Sequence, residues 1–131
     1  VQVTADAYVM GYPLSVGVET AAQLDYQTPL IRRGIVAGKN AAAGSIILDC
    51  QVDGGNSGGP VVQESRDREG NAIFRVIGLV SEFVPEAEEW VSQTRGQVNV
   101  SISNSGYSVV VPMDAIWDLI GARQVHFTQS E

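Results

Sequence analysis

Strand-like runs separated by turns bearing glycine or proline fill this 131-residue chain as far as residue 112, and no helical pattern alternates with them. That order excludes a βαβ architecture and points to an antiparallel sandwich or barrel. The first runs are "DAYVMGYP" (6–13), "TPLIRRGIVAGKN" (28–40), in which Gly34 marks a bulge or bend, "SIILDC" (45–50) and "PVVQES" (60–65). "AIFRVIGLVSEFV" (72–84) follows a turn at "DREGN" and is apolar enough to be buried on both faces for part of its length. "QVNVSIS" alternates with period two, "NSG" marks a turn and "YSVVVP" returns, so residues 97–112 read as a hairpin. In "PMDAIWDLIG" (112–121), Met113, Ile116, Trp117 and Ile120 fall at i, i+3, i+4 and i+7, behind Pro112 and Asp114 and ahead of Gly121 as a cap. One amphipathic C-terminal helix is expected there, packed on the sheet with Trp117 in the core.

Length and composition narrow the class. With 131 residues, 44% of them hydrophobic, the chain supports one core and a single domain over 1–131. Fifteen acidic against eight basic residues give a net charge of -7, which argues against a nucleic-acid partner, since phosphates are neutralised by clustered Lys and Arg. No apolar run approaches the roughly 20 residues of a membrane-spanning helix, so no membrane partner is expected. One Cys and one His exclude a metal-ligand cluster of those types and an intrachain disulfide; no metal or other cofactor is expected. Cys50 reads as a small buried hydrophobe.

The stretch "DGGNSGGPVV" (53–62) sets one hydroxyl, Ser57, among four glycines. A loop so bare leaves its N–H groups accessible and its backbone free to take positive φ. Acyl transfer through a serine needs a base for its proton and aimed donors for the developing oxyanion, and backbone N–H groups serve as such donors. If the loop curls, the N–H groups of Gly55 and Ser57 converge on one point, and Gly54, Gly55, Gly58 and Gly59 leave room for a substrate backbone.

"GNSGGP" (55–60), preceded by "SIILDCQVDG" and followed by "RVIGLVSEF" (75–83), resembles the second half of a chymotrypsin-fold serine peptidase, nearest the bacterial trypsin-like enzymes that include the high-temperature-requirement group. "YVMGYP" (8–13), "IRRGIVAG" (31–38) and "GYSVVVPMDAIWDLI" (106–120) extend the likeness over most of the chain, in the family's order. The resemblance implies a six-stranded antiparallel Greek-key β-barrel with one C-terminal helix, and a serine endopeptidase acting on peptide or protein substrates. It implies Ser57 as catalytic nucleophile and the N–H groups of Gly55 and Ser57 as oxyanion hole. Asn56 stands where many members have Asp, which implies that no buried ion pair with a freed amino terminus is used for activation. Ser81, Glu82 and Phe83 match the edge that binds substrate backbone by strand addition. Gln51 matches the floor of the primary specificity pocket, with Val52, Asp53 and Gly54 beside it; an uncharged floor disfavours strict Lys or Arg cleavage.

The chain departs from the family where the base belongs. The resemblance implies a catalytic His and Asp on an N-terminal barrel, yet no His precedes Ser57. A two-barrel enzyme needs roughly 200 to 250 residues, so these 131 are expected to be its second half, inactive alone, with the first barrel as partner. The other reading is a non-catalytic peptide-binding module. "GNSGG" also fits G-x-S-x-G, with Ser57, Asp114 and His126 in α/β-hydrolase order, but that motif needs a helix directly after the serine and Gly58 to Val62 start helices poorly. His126 is expected in a tail after the helix. Glu82, Glu86, Glu88 and Glu89 could steer basic substrates but are expected to form a solvated loop, which Trp90 anchors unless it lines the cleft.

Overall fold

The computed structural model describes residues 1–12, 28–92 and 94–128, the side chains of 92, 97 and 123–128 excepted. Six strands and a helix follow in order: β1 (Asp6–Gly11), β2 (Leu30–Asn40), β3 (Ser45–Asp49), β4 (Pro60–Arg66), β5 (Ala72–Ser92), β6 (Gln97–Pro112) and α1 (Met113–Thr128). Every neighbouring pair is antiparallel, and the strands close into a ring in the order β1-β2-β3-β6-β5-β4, with β4 returning to β1. Closure leaves few free edges, which answers the chain's lack of covering helices.

Alternation along the strands fills the ring. β1 and β3 bury every second residue, and Ala7, Val9, Val36, Leu48, Val61 and Val110 meet inside. A bulge or bend is expected at Gly34; the register of β2 against β3 shifts instead between Val36 and Gly38, three residues on. Gly34 serves a close approach instead: a Cβ there would run into the Asp49 carbonyl and Cys50.

Residues 97–112 are one strand, not a hairpin. The "NSG" signal is a local offset in β6, where the register against β5 jumps between Phe83 and Pro85 and Gly106 takes φ +86°. The acidic segment expected as a loop belongs to β5, so β5 and β6 run on together beyond the ring as a two-stranded arm, Pro85 to Ser92 against Gln97 to Asn104. The helix also exceeds its expected end. It passes through Gly121 to Thr128, because Ala122, Arg123 and Gln124 are good helix formers that outweigh the roughly 1 kcal/mol cost of one glycine. His126 therefore lies on α1 rather than in a tail. Trp117 is 63% exposed, not core: α1 packs mainly against β5 and β6, and among its described residues only Met113 and Ile116 are half-buried.

Candidate active site

Residues 50–59 join β3 to β4, and their side chains alternate at first as a strand's would. Cys50 and Val52 point into the core while Gln51 is exposed. Two tethers hold this approach. Arg32 on β2 donates to the Gln51 carbonyl (3.0 Å) and pairs with the Asp53 carboxylate (2.8 Å). From the opposite side, the Asn104 amide donates to the Val52 carbonyl, and its Oδ1 accepts the Gly106 N–H.

The chain then turns tightly. Asn56 N–H reaches the Asp53 carbonyl (3.2 Å), and Gly55 and Gly58 take φ of +92° and +81°, a region that favours residues without Cβ. Gly59 N–H bonds the Asn56 carbonyl (2.9 Å), while Gly58 N–H to Val80 carbonyl (2.8 Å) and Val80 N–H to Gly59 carbonyl (2.9 Å) fasten the turn to β5. Gly59 is pressed so close to the Met10 carbonyl that no Cβ fits. The turn is thereby fixed by Asn56, Gly58 and Gly59. The N–H groups of Gly54, Gly55 and Ser57 have no acceptor among the described residues. All three residues are exposed, so their donors are open to a ligand.

Ser57 Oγ donates to the Ser81 carbonyl (3.1 Å). Ser81 is the extra residue of a β-bulge, between Val80, paired with Val110, and Glu82, paired with Val109. The structure thus brings Ser57, Gly55 and Ser81 together at one end of the ring. Glu82 and Phe83 follow on the exposed edge of β5, and past Val80 that edge, on the side away from β6, is paired with no strand among the described residues. Gln51, Val52 and Asp53 lie beneath the turn, Val52 wholly buried and Asp53 occupied by Arg32.

Arg32 and Asn104 carry no signal of this role in the sequence. In "LIRRG" the arginine looks like a strand's solvated face, and in "NSG" the asparagine looks like a turn residue; only the ring's register carries both to the loop. Burial pushes the Cys50 thiol above its ordinary value, with Arg32 opposing, which disfavours the reactive thiolate. After Ser57 comes strand β4, so the strand–serine–helix context of the rival motif is absent. Asp114 is exposed in the first turn of α1, and the His126 side chain lies outside the described residues. Among the described residues, no group of three His, Cys, Asp or Glu is placed to hold a metal ion, and no helix is long and apolar enough to cross a membrane. No protein-family model matches this chain, and no curated protein is significantly similar to it.

Proposed function

We propose that this chain is the nucleophile-bearing half of a trypsin-like serine endopeptidase. The observation that carries the reading is the division of labour in the turn: the N–H groups of Asn56, Gly58 and Gly59 hold the loop, while those of Gly55 and Ser57 are left over beside an exposed hydroxyl. Donors held rigid before charge develops are what stabilises an oxyanion. The order β4-β1-β2-β3 within the ring, three consecutive strands with the fourth returning beside the first, supports the Greek-key barrel of that family. The free edge at Ser81 to Phe83 supports backbone recognition of an extended substrate.

In this reading a His, oriented by an Asp, comes from a sister barrel and takes over the Ser57 proton now directed at the Ser81 carbonyl. Ser57 Oγ attacks the scissile carbonyl, whose oxyanion is held by Gly55 and Ser57 N–H. The protonated His gives its proton to the departing amine, and water then releases the acyl group by the reverse transfers. Without the base, chymotrypsin-type enzymes keep only about 10³ to 10⁴-fold over water, so the chain alone is expected to be inactive. One observation favours the second reading, a peptide-binding module without catalysis: among the described residues the only partner of the Ser57 hydroxyl is a carbonyl, which cannot activate it.

A fluorophosphonate probe tests this. The chain joined to a barrel bearing His and Asp is expected to label, with Ser57→Ala abolishing the signal and the chain alone at background. Absence of labelling in the joined protein, or labelling that survives Ser57→Ala, overturns the reading.

A further inference from the structure

Apart from Asn104 at its base, which tethers Val52, the arm formed by β5 and β6 has no role in the site described above. Its faces follow from the register. Ala87, Val91, Val98, Val100 and Ile102 share one face with Glu89; Glu86, Glu88 and Trp90 share the other with Ser101, Ser103 and Asn99. Both faces are bare: Ile102 is 71% and Trp90 64% exposed. Such a two-stranded ribbon is only marginally stable in water and gains from a third strand. The ladder between β4 and β5 gives way to the serine turn at Val80, and from Glu82 to Ser92 the same edge of β5 runs on with no strand paired to it among the described residues.

We infer that the arm is an extended substrate-reading edge, on which the polypeptide upstream of the scissile bond adds as a third strand with Lys or Arg at alternate positions. The inference rests on the peptidase reading for the position of the scissile bond. Direction comes from the ring. A strand continuing in line with β4, antiparallel to β5, has its C-terminal end at Ser57 and its N-terminal end out along the arm. Reach comes from the pleat: from Phe83 to Ser92 the edge spans about 30 Å at roughly 3.4 Å per residue, enough for some nine residues. Charge selects the occupant. Glu82, Glu86, Glu88 and Glu89 lie on β5, and no Lys or Arg occurs in 82–92 or 97–104. Since β5 is the edge strand, an added strand lies directly beside these carboxylates. Side chains of the peptide that fall on the Glu86, Glu88 and Trp90 face meet two carboxylates and an indole, a setting for cations. Those on the opposite face meet Ala87 and Val91, a setting for aliphatic residues, with Glu89 between them.

The test reads binding rather than hydrolysis. In a Trp117→Phe background Trp90 is the sole tryptophan. A capped ten-residue peptide alternating Lys and Val is titrated against the 131-residue chain, with Trp90 emission and backbone amide shifts as readouts. Two comparators are used: the same peptide with Glu for Lys, and the Lys–Val peptide with alternate amides N-methylated, which keeps the charge but loses ladder donors. The Lys–Val peptide is expected to saturate the Trp90 signal and to shift amides of residues 81–92. The Glu–Val peptide is expected not to bind, and the N-methylated one to bind more than ten-fold more weakly. Glu86→Lys with Glu88→Lys is expected to weaken binding about ten-fold. Equal binding of the charged comparators, indifference to N-methylation, shifts confined to other surfaces, or a Trp90 signal that follows protein concentration instead of peptide each overturns the inference. Labelling of Ser57 without peptide on the arm sinks this inference alone; peptide on the arm without labelling sinks the peptidase reading alone.

Discussion

Ser57 and Gly55 differ from Asn56, Gly58 and Gly59 in what their N–H groups leave undone, and Asn56 does most to fix the turn between them. Its carbonyl accepts the Gly59 N–H, its own N–H bonds the Asp53 carbonyl, and its side chain is 2% exposed against Gly11. Its Nδ2 has no partner among the described residues, a cost of about 1–3 kcal/mol for a buried amide. Asn56→Asp would place an unpaired carboxylate in that site. Loss of about 3–5 kcal/mol at pH 7 is expected, as for other uncompensated buried charges. Burial raises the folded pKa of such an Asp above its unfolded value of about 3.9. The folded state then binds the extra proton, so stability is kept at low pH and lost as pH rises through the folded pKa. Urea unfolding of both proteins at pH 5 and pH 7 checks this; a deficit equal at the two pH values would contradict it. The motif alone pointed to Ser57 and Gly55, because a glycine-framed serine restricts both conformation and chemistry. Arg32 and Asn104 were illegible, since their bonds to the Gln51, Val52 and Asp53 backbone and side chains depend on strands meeting far apart in sequence.

The arm beyond Asn104 can be removed in principle without touching the ring, because among the described residues Glu86 to Ser92 and Gln97 to Ser103 pair as strands only with each other. Replacing residues 86–102 by an Asn-Gly turn is expected to leave the melting temperature within about 4 °C of the parent, a change worth less than roughly 1–2 kcal/mol in a domain of this length. In the intact chain, amides of Ala87 to Val91 are expected to exchange much faster than those of Gly78 and Leu79, which sit between two strands. Circular dichroism melting and hydrogen exchange check the two statements; a collapse of the melt on excision would show the arm to be structural. The period-two pattern of "QVNVSIS" made β6 legible as strand, but not its partner. The stretch "PEAEEW" reads as loop because Pro and Glu are poor strand formers, and cross-strand pairing with β6 overrides that preference. Trp117 shows the converse failure: helical spacing names a face able to be buried, while only packing decides whether anything covers it.

The ring carries apolar side chains on part of its outer surface as well as inside. Tyr8, Met10, Ile31, Val62 and Phe74 project outward from four adjoining strands around an apolar hollow of about 350 Å³. At its margin Tyr8 OH donates to Glu64 (2.7 Å) and Arg33 pairs with Asp6 (2.9 Å). Composition could not reveal this, because 44% hydrophobic content does not say which side of a strand carries it. Copies bearing such a face attract one another, and at pH 7 the net charge of -7 opposes their approach. That repulsion fades as pH falls toward the isoelectric point near 4.5, and salt shortens its range from about 10 Å at 0.1 M to about 3 Å at 1 M. Sedimentation velocity is therefore expected to show a monomer at pH 7 in low salt and growing self-association both toward pH 4.5 and toward 1 M salt. Ile31→Gln with Phe74→Gln, both at exposed positions, is expected to suppress that association without changing the isoelectric point. A chain that stays monomeric at pH 4.5, or a double variant that associates as strongly as the parent, would show that charge and this face do not govern its behaviour in solution.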